Sequence, residues 1–402
     1  MNCLIIGVGP AGLAAAVALR HADPEARVTI LSRETIRPYA KMGLPYLLAD
    51  FSGTKNFFLP EPQGVSLLLN QEVATLDPGV RSVTTTSGEK FSYDRLLVAT
   101  GGKPERPEIP GYDLPFVFTV RDYGDIEGIR KVYQGHRGHA VIAGAGPVGM
   151  ETGDILHKLG MKITFVVTSD RVFSTILDVP ASRLVERILT EKGVEVLKGE
   201  NITAISPDGS VSLKSGAARQ ANLVIFGKGV SPDVAFLAGS GIASGRGITV
   251  NSRQETGVSG TYAAGDAAQT RDIVSGEMRV NALWPEAIGQ GRIAGLNMAG
   301  HAVEYGGSLA RNIMNVFGVS IFVAGAGRAD EPEVLCEEGE GFYRKMVLDK
   351  GILKGAVFIG DVRNPGLYTR LMKEKVNVSG FATSLLRGTY SYPRLMRLLA
   401  KV

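Results

Sequence analysis

The chain has 402 residues, of which 44% are hydrophobic and 21% charged, and its net charge is +4. That is material for two or three globular domains, and the mild positive balance falls short of the clustered Lys/Arg stripe of a nucleic-acid binder. Its two cysteines, Cys3 and Cys336, form no CxxC pair, which argues against an iron–sulfur or zinc site within the chain and suits a reducing, cytoplasmic compartment.

The N-terminal run MNCLIIGVGPAGLAAAVAL is apolar, but it has no early Lys or Arg and is broken by glycine and proline. It reads as a strand, a turn and a helix rather than a secretion signal. Cys3 to Ile6 forms the strand, the helix runs to about His21, and a second strand follows at Arg27 to Leu31. Tyr93 to Thr100 reads as a buried strand ending at Gly101, and the proline-rich stretch Pro104 to Pro115 as a crossover. His136 and His139 have no further ligand-type residues close by, so no metal site is expected there. From Ala140 the opening order returns: a strand to Ala143, a glycine turn from Gly144 to Gly149, a helix to about Leu159, and a strand from Lys162 to Val167. A further strand lies in Ile248 to Ala268, and a helix runs from Pro285 to about Ala299. Beyond Tyr305 the pattern changes to antiparallel strands, Phe342 to Leu348 and Gly355 to Ile359, and a helix from Leu367 to Lys375. The Leu spacing of Arg387 to Lys401 suits an amphipathic helix, and its basic residues suit an acidic partner. No run of 18 uninterrupted apolar residues occurs, so no membrane span is expected.

The fold class that follows is α/β, with two Rossmann-like dinucleotide-binding domains and a C-terminal α+β domain. Their expected boundaries are 1–110 with 245–304 for the first, 111–244 for the second, and 305–402 for the third. The first fingerprint, Gly7-Val8-Gly9-Pro10-Ala11-Gly12, follows a strand and opens a helix, which is the context a dinucleotide needs. Its first glycine permits the turn, the second lets a pyrophosphate approach, and the third lets the helix pack on the strand. An acidic ribose ligand is usual after the second strand. Here Ser32 and Arg33 stand there, with Glu34 as the alternative to Ser32. The second fingerprint, Gly144-Ala145-Gly146-Pro147-Val148-Gly149, has the same context. After its second strand come Thr168, Ser169, Asp170 and Arg171. Thr168, Ser169 and Arg171 suit the 2′-phosphate of NADPH and Asp170 the ribose diol of NADH, so both donors stay open. Two dinucleotide sites in one chain suggest a flavin, FAD, paired with a nicotinamide nucleotide.

Four motifs in this order resemble the pyridine nucleotide–disulfide reductase superfamily: Gly7–Gly12, Leu97 to Gly101, Gly144–Gly149 with Glu151, and Thr261 to Asp266. The resemblance implies a glutathione-reductase-like arrangement, with FAD held at the first fingerprint and at Ala99, Thr100, Gly101, Gly265 and Asp266. It places Asp266 on the flavin ribityl chain, Glu151 near the flavin–nicotinamide contact, Gly229 beside the nicotinamide nucleotide, and the helix starting at Trp284 and Pro285 against the flavin pyrimidine. Many branches of the superfamily carry a redox cysteine after the second strand. Here the matching run is Pro38 to Pro45 and Met42 takes the cysteine's place. A thioether forms no thiolate or mixed disulfide, so disulfide chemistry is not expected.

The run from Pro38 to Pro45 and that from Gly355 to Asp361 are similar to NADH:rubredoxin oxidoreductases and the flavin part of nitrite reductases, which implies a role for Lys41 beside the flavin. These residues include no cysteine ligands for nitrite-reducing modules, so nitrite reduction by this chain is not expected. The leading expectation is NAD(P)H-driven electron transfer through FAD to a rubredoxin or iron–sulfur protein, with Lys41 and Glu151 as the catalytic candidates. The alternatives are an oxidase or quinone reductase, and a redox-sensing binding protein. A homodimer is compatible with the family's C-terminal domain.

Overall fold

Short apolar strands alternate with helices that begin on glycine turns, and this pattern builds two parallel sheets. The computed structural model describes residues 1–49, 57–135, 137–329, 333–390, 393 and 395. Its helices include α1 (Pro10–Ala22), α2 (Tyr123–Tyr133), α3 (Pro147–Lys158), α4 (Val179–Glu191), α5 (Trp284–Met298) and α6 (Pro365–Lys373). By contacts, the chain divides into two compact units: Met1–Gly43 with Ser52–Lys103 and Val230–Ser308, and Leu44–Phe51 with Pro104–Gly229 and Leu309–Val402.

In the first unit the strands lie in the order Thr261–Ala263, Arg95–Val98, Asn2–Ile6, Arg27–Leu31, Val65–Leu68, all parallel. NCLII, RVTIL and RLLV are nearly continuous apolar runs because the sheet is covered on both faces. One face packs on α1 and α5, with Ile5, Leu19, Ile30 and Ala294 fully buried. The helices meet backbone to backbone. A Cβ on Gly291 would stand 2.1 Å from the Ala11 carbonyl oxygen, and one on Gly295 would stand 2.3 Å from that of Ala15. An antiparallel meander, Val73–Asp77, Ser82–Thr85 and Lys90–Ser92, completes the plan.

The second unit repeats that plan. Its parallel sheet has the order Glu195–Lys198, Lys162–Val167, His139–Ala143, Leu223–Phe226, Val117–Phe118. Ile202–Ile205, Ser210–Leu213 and Ala218–Gln220 form its meander. The same unit holds a five-stranded antiparallel sheet with Arg311–Val316 and Glu333–Gly339 at its edges. This sheet is riveted to α4. Asp178 caps the helix by accepting the Ala181 N–H at 3.2 Å, and it also accepts from Tyr343 Oη at 2.8 Å and from the fully buried Lys345 Nζ at 2.9 Å.

Two further helices, α2 and α4, are marked by their caps. Asp122 and Asp125 form a reciprocal capping box, and Asp178 precedes Pro180 in the first turn of α4. Cys3 is buried and burial pushes its thiol up to about 11, as expected of a small core residue. His136 and most of the segment 387–401 lie outside the described residues. His139 spends its ring nitrogens on the Gln220 carbonyl and Thr164 Oγ1, each at 2.7 Å. Among the described residues there is no cluster of three or more metal-ligating side chains, and no helix is long and apolar enough to cross a membrane.

Candidate functional site

The strand register brings the first set of residues to one edge. Ile6 pairs with Leu31 and with Val98, and Ala263 pairs with Val98. The residues just past these strands, Gly7, Ser32, Ala99 and Gly265, therefore gather at the carboxyl end of the sheet, where open α/β sheets bind their ligands. Gly7 has φ +110°, and a Cβ there would lie 2.2 Å from the Ala99 carbonyl oxygen. A Cβ on Gly12 would lie 2.0 Å from the Gly7 carbonyl oxygen. Gly9 differs, because nothing lies within 4 Å of a Cβ built on it. Outer glycines jammed against backbone and a middle glycine facing open space are what a pyrophosphate cradle requires. No side chain caps the N-terminus of α1, and Pro10 fills its first position, so the free N–H groups of Ala11 and Gly12 remain for an anion. Ala11 is itself buried, so only its backbone is on offer.

The second fingerprint has the same geometry. Gly144 has φ +107° with a would-be Cβ 2.4 Å from the Gly227 carbonyl oxygen, and one on Gly149 would be 2.3 Å from that of Gly144. Gly146 faces open space, and α3 starts at Pro147 without a side-chain cap. Val148 is exposed. Gly227 was invisible as a site residue in the sequence. It occupies the place that Ala99 holds in the first unit. Gly229, which the sequence singled out, has φ +109° and accepts the Glu105 N–H at 3.2 Å.

The residues after the second strand differ between the units. Ser32 is buried and its Oγ accepts the Glu34 N–H at 3.2 Å. Glu34 in turn holds Lys41 Nζ at 2.5 Å and accepts from Tyr39 Oη at 3.1 Å. Lys41 is thus a fixed, half-buried cation rather than a waving surface lysine. Arg33 binds Asp233 at 2.5 Å, and the Asp233 backbone takes the Thr100 hydroxyl at 2.7 Å and donates to Gly101 at 2.9 Å. In the second unit Thr168 is exposed and Arg171 pairs with its neighbour Asp170 at 2.8 Å. Ser169 Oγ donates to the Arg171 carbonyl at 2.7 Å.

Three further features bear on chemistry. Gly265, at φ +76°, donates its N–H to the buried Gln290 side chain at 2.8 Å, which sets the turn that carries the half-buried Asp266. Gln290 gave no sequence signal beyond an amide on a buried helix face. Trp284 and Pro285 open α5 with no side-chain cap. On α3, burial, with a contribution from Asp154, pushes the Glu151 carboxyl up to about 7. The Tyr46 hydroxyl is raised by burial and by the nearby carboxylates of Glu151 and Asp154.

Residues 1–291 match the family described as pyridine nucleotide-disulphide oxidoreductase, and the chain belongs to it. It is accordingly an oxidoreductase that uses FAD and NAD(P)H, and the cradles at Gly9 and Gly146 fit such dinucleotides. Residues 311–376 match the rubredoxin NAD+ reductase C-terminal domain, which covers most of the antiparallel sheet.

Among relatives, the epsilon subunit of NADH-dependent phenylglyoxylate dehydrogenase from Aromatoleum evansii is 28% identical, over 94% of this chain and 92% of that one. NADH-rubredoxin oxidoreductase from Clostridium acetobutylicum is 27% identical, over 92% of this chain and 93% of its own. Among solved structures, the covalent putidaredoxin reductase–putidaredoxin complex shares the fold, with a TM-score of 0.89 and 21% identity over 100% of this chain and 98% of that chain.

Proposed function

We propose that the chain transfers electrons from NAD(P)H through FAD to a separate iron protein, a rubredoxin or an iron–sulfur protein. The observation that carries this reading is Met42, 62% exposed where a redox cysteine would stand. The two thiols offer no substitute. Cys3 is buried, and Cys336 sits on the antiparallel sheet, 3.8 Å from Tyr343 Oη. The match of residues 311–376 to a rubredoxin reductase domain supports the same reading.

In this proposal Gly7, Gly9, Pro10, Ala11 and Gly12 cradle the FAD pyrophosphate, Ser32 and Arg33 serve its adenosine half, and Ala99, Thr100, Gly101, Gly265 and Asp266 border the rest. Bound FAD supplies the change from two-electron donation by NAD(P)H to one-electron delivery. Lys41 places a cation beside the flavin, and Trp284 and Pro285 present the positive end of α5; both favour added negative charge. Gly144, Gly146, Pro147, Val148 and Gly149 cradle the nicotinamide nucleotide, with Thr168, Arg171 and Gly229 along it. Glu151, which exchanges its proton near neutral pH, sits at the donor site and holds or releases that proton as charge on the site changes.

The test is anaerobic stopped-flow reduction by NADH and by NADPH, followed by mixing with a rubredoxin or a ferredoxin. Rapid flavin bleaching and reoxidation by the iron protein are expected. Fast bleaching with reoxidation only by oxygen or a quinone would overturn the proposal.

A further inference from the structure

Beside the contact between α1 and α5 lies a groove of about 570 Å3. Its walls are apolar, with Val17, Leu59, Trp284 and Ile288 among them, and its two charged or titratable lining residues are His21 and Arg292. No carboxylate lines it, and neither the His21 nor the Arg292 side chain has a hydrogen-bond or ion-pair partner among the described residues. Val17 is 44% exposed and Ile288 41% exposed, so the groove is open along its length.

Three occupants can be compared. A small molecule bound tightly is normally enclosed over most of its surface, which walls this open do not provide. A second copy of the chain in a two-fold pair would lay the same patch against itself. That would bring Arg292 towards a patch that carries its own Arg292 and no carboxylate. A protein with a protruding apolar segment bordered by carboxylates fits both features, since interfaces pair an apolar centre with a charged rim and complementary charge steers the encounter. The groove's lining also includes Pro10 and Trp284, which open the two helices assigned above to the flavin.

We propose that this groove is the docking surface for the acidic iron protein that receives the electrons, with Arg292 as its charged anchor. The inference rests on the electron-transfer reading above. Single electrons pass efficiently only over short distances, so an acceptor must seat close to the flavin, and this patch begins at the residues that flank it.

The experiment measures NAD(P)H-driven reduction of a rubredoxin and of a ferredoxin by the FAD-loaded protein and by Arg292→Glu, Val17→Glu and Val17→Lys variants. Both glutamate variants are expected to raise the KM for the iron protein about tenfold, while the rate of flavin reduction by NAD(P)H stays at the wild-type value. Val17→Lys, the same size of insult with the opposite charge, is expected to raise that KM less than Val17→Glu does. The wild-type KM should rise with salt, and more steeply than that of Arg292→Glu. An iron protein reduced with wild-type KM by both glutamate variants overturns the docking surface alone. Failure of the wild type to reduce either iron protein removes the electron-transfer reading, and this inference with it. If Val17→Glu slows a neutral benzoquinone as much as the iron protein and Arg292→Glu slows neither, the groove is a small-molecule site and the proposal falls.

Discussion

The two glycine fingerprints are near copies in the backbone and unlike in their surroundings. In each, the outer glycines would drive a Cβ into a carbonyl oxygen and the middle one faces open space. Around the first, the residues beyond the second strand are knitted together: Ser32 to Glu34, Glu34 to Lys41 and Tyr39, Arg33 to Asp233. Around the second, Thr168 stays exposed, Arg171 bonds to its neighbours Asp170 and Ser174, and the ionisable centre is Glu151 on the helix itself. A shared turn therefore recurs with the same glycine geometry, while the tertiary neighbours decide which side chains stand beside it.

The largest expected effect attacks the shared part. Gly12→Ala and Gly149→Ala push a Cβ to 2.0 and 2.3 Å from a carbonyl oxygen, and each should cost about 4 kcal/mol or more in thermal or denaturant unfolding. Equal losses in the two variants would sharpen the likeness, and a mild loss in one would break it.

Next comes an anchor peculiar to the second unit. Lys345→Ala strands the half of the rivet that Asp178 provides, and a loss of about 3 kcal/mol is expected in urea unfolding. Lys345→Met should lose a similar amount, because the carboxylate still has no cation.

The third prediction concerns Glu151. Its folded-state value of about 7 exceeds the usual 4.5, so the native state holds the proton more tightly than the unfolded chain. Stability contributed by the protonated group is therefore present below about 4.5 and lost as pH rises through about 7. Glu151→Gln should flatten that slope and gain roughly 2 kcal/mol over the wild type at pH 8, with little change at pH 4. Parallel pH curves for the two proteins would show the carboxyl to be unperturbed.

The smallest effect on stability is expected at the middle glycines. Gly9→Ala and Gly146→Ala meet no atom within 4 Å and should stay within about 0.5 kcal/mol of the wild type. Each should still weaken its own cofactor, with flavin content falling in the first and KM for NAD(P)H rising in the second.

Much of this was legible because it is local. Arg27–Leu31 and Lys162–Val167 are strands with the bounds their apolar runs suggested, and α1 and α3 begin where proline follows the middle glycine. The strand expected over Tyr93 to Thr100 is shorter, Arg95–Val98, and before it Tyr93 donates its N–H outside the sheet, to the Arg81 carbonyl in the turn between two meander strands. α2 and α4 are not evident from apolar periodicity alone, though Asp122, Asp125 and Asp178 mark their starts.

What the sequence by itself determined is the pair of turns and the lack of a thiol at Met42, because glycine conformation and side-chain identity are properties of single residues. Only the tertiary structure decided that Glu34 clamps Lys41, that Gln290 holds the turn before Asp266, that Gly227 stands in for Ala99, and that Glu151 is buried enough to titrate near neutrality. Each of those depends on desolvation or on a partner far along the chain, and neither is written in the spacing of neighbouring residues.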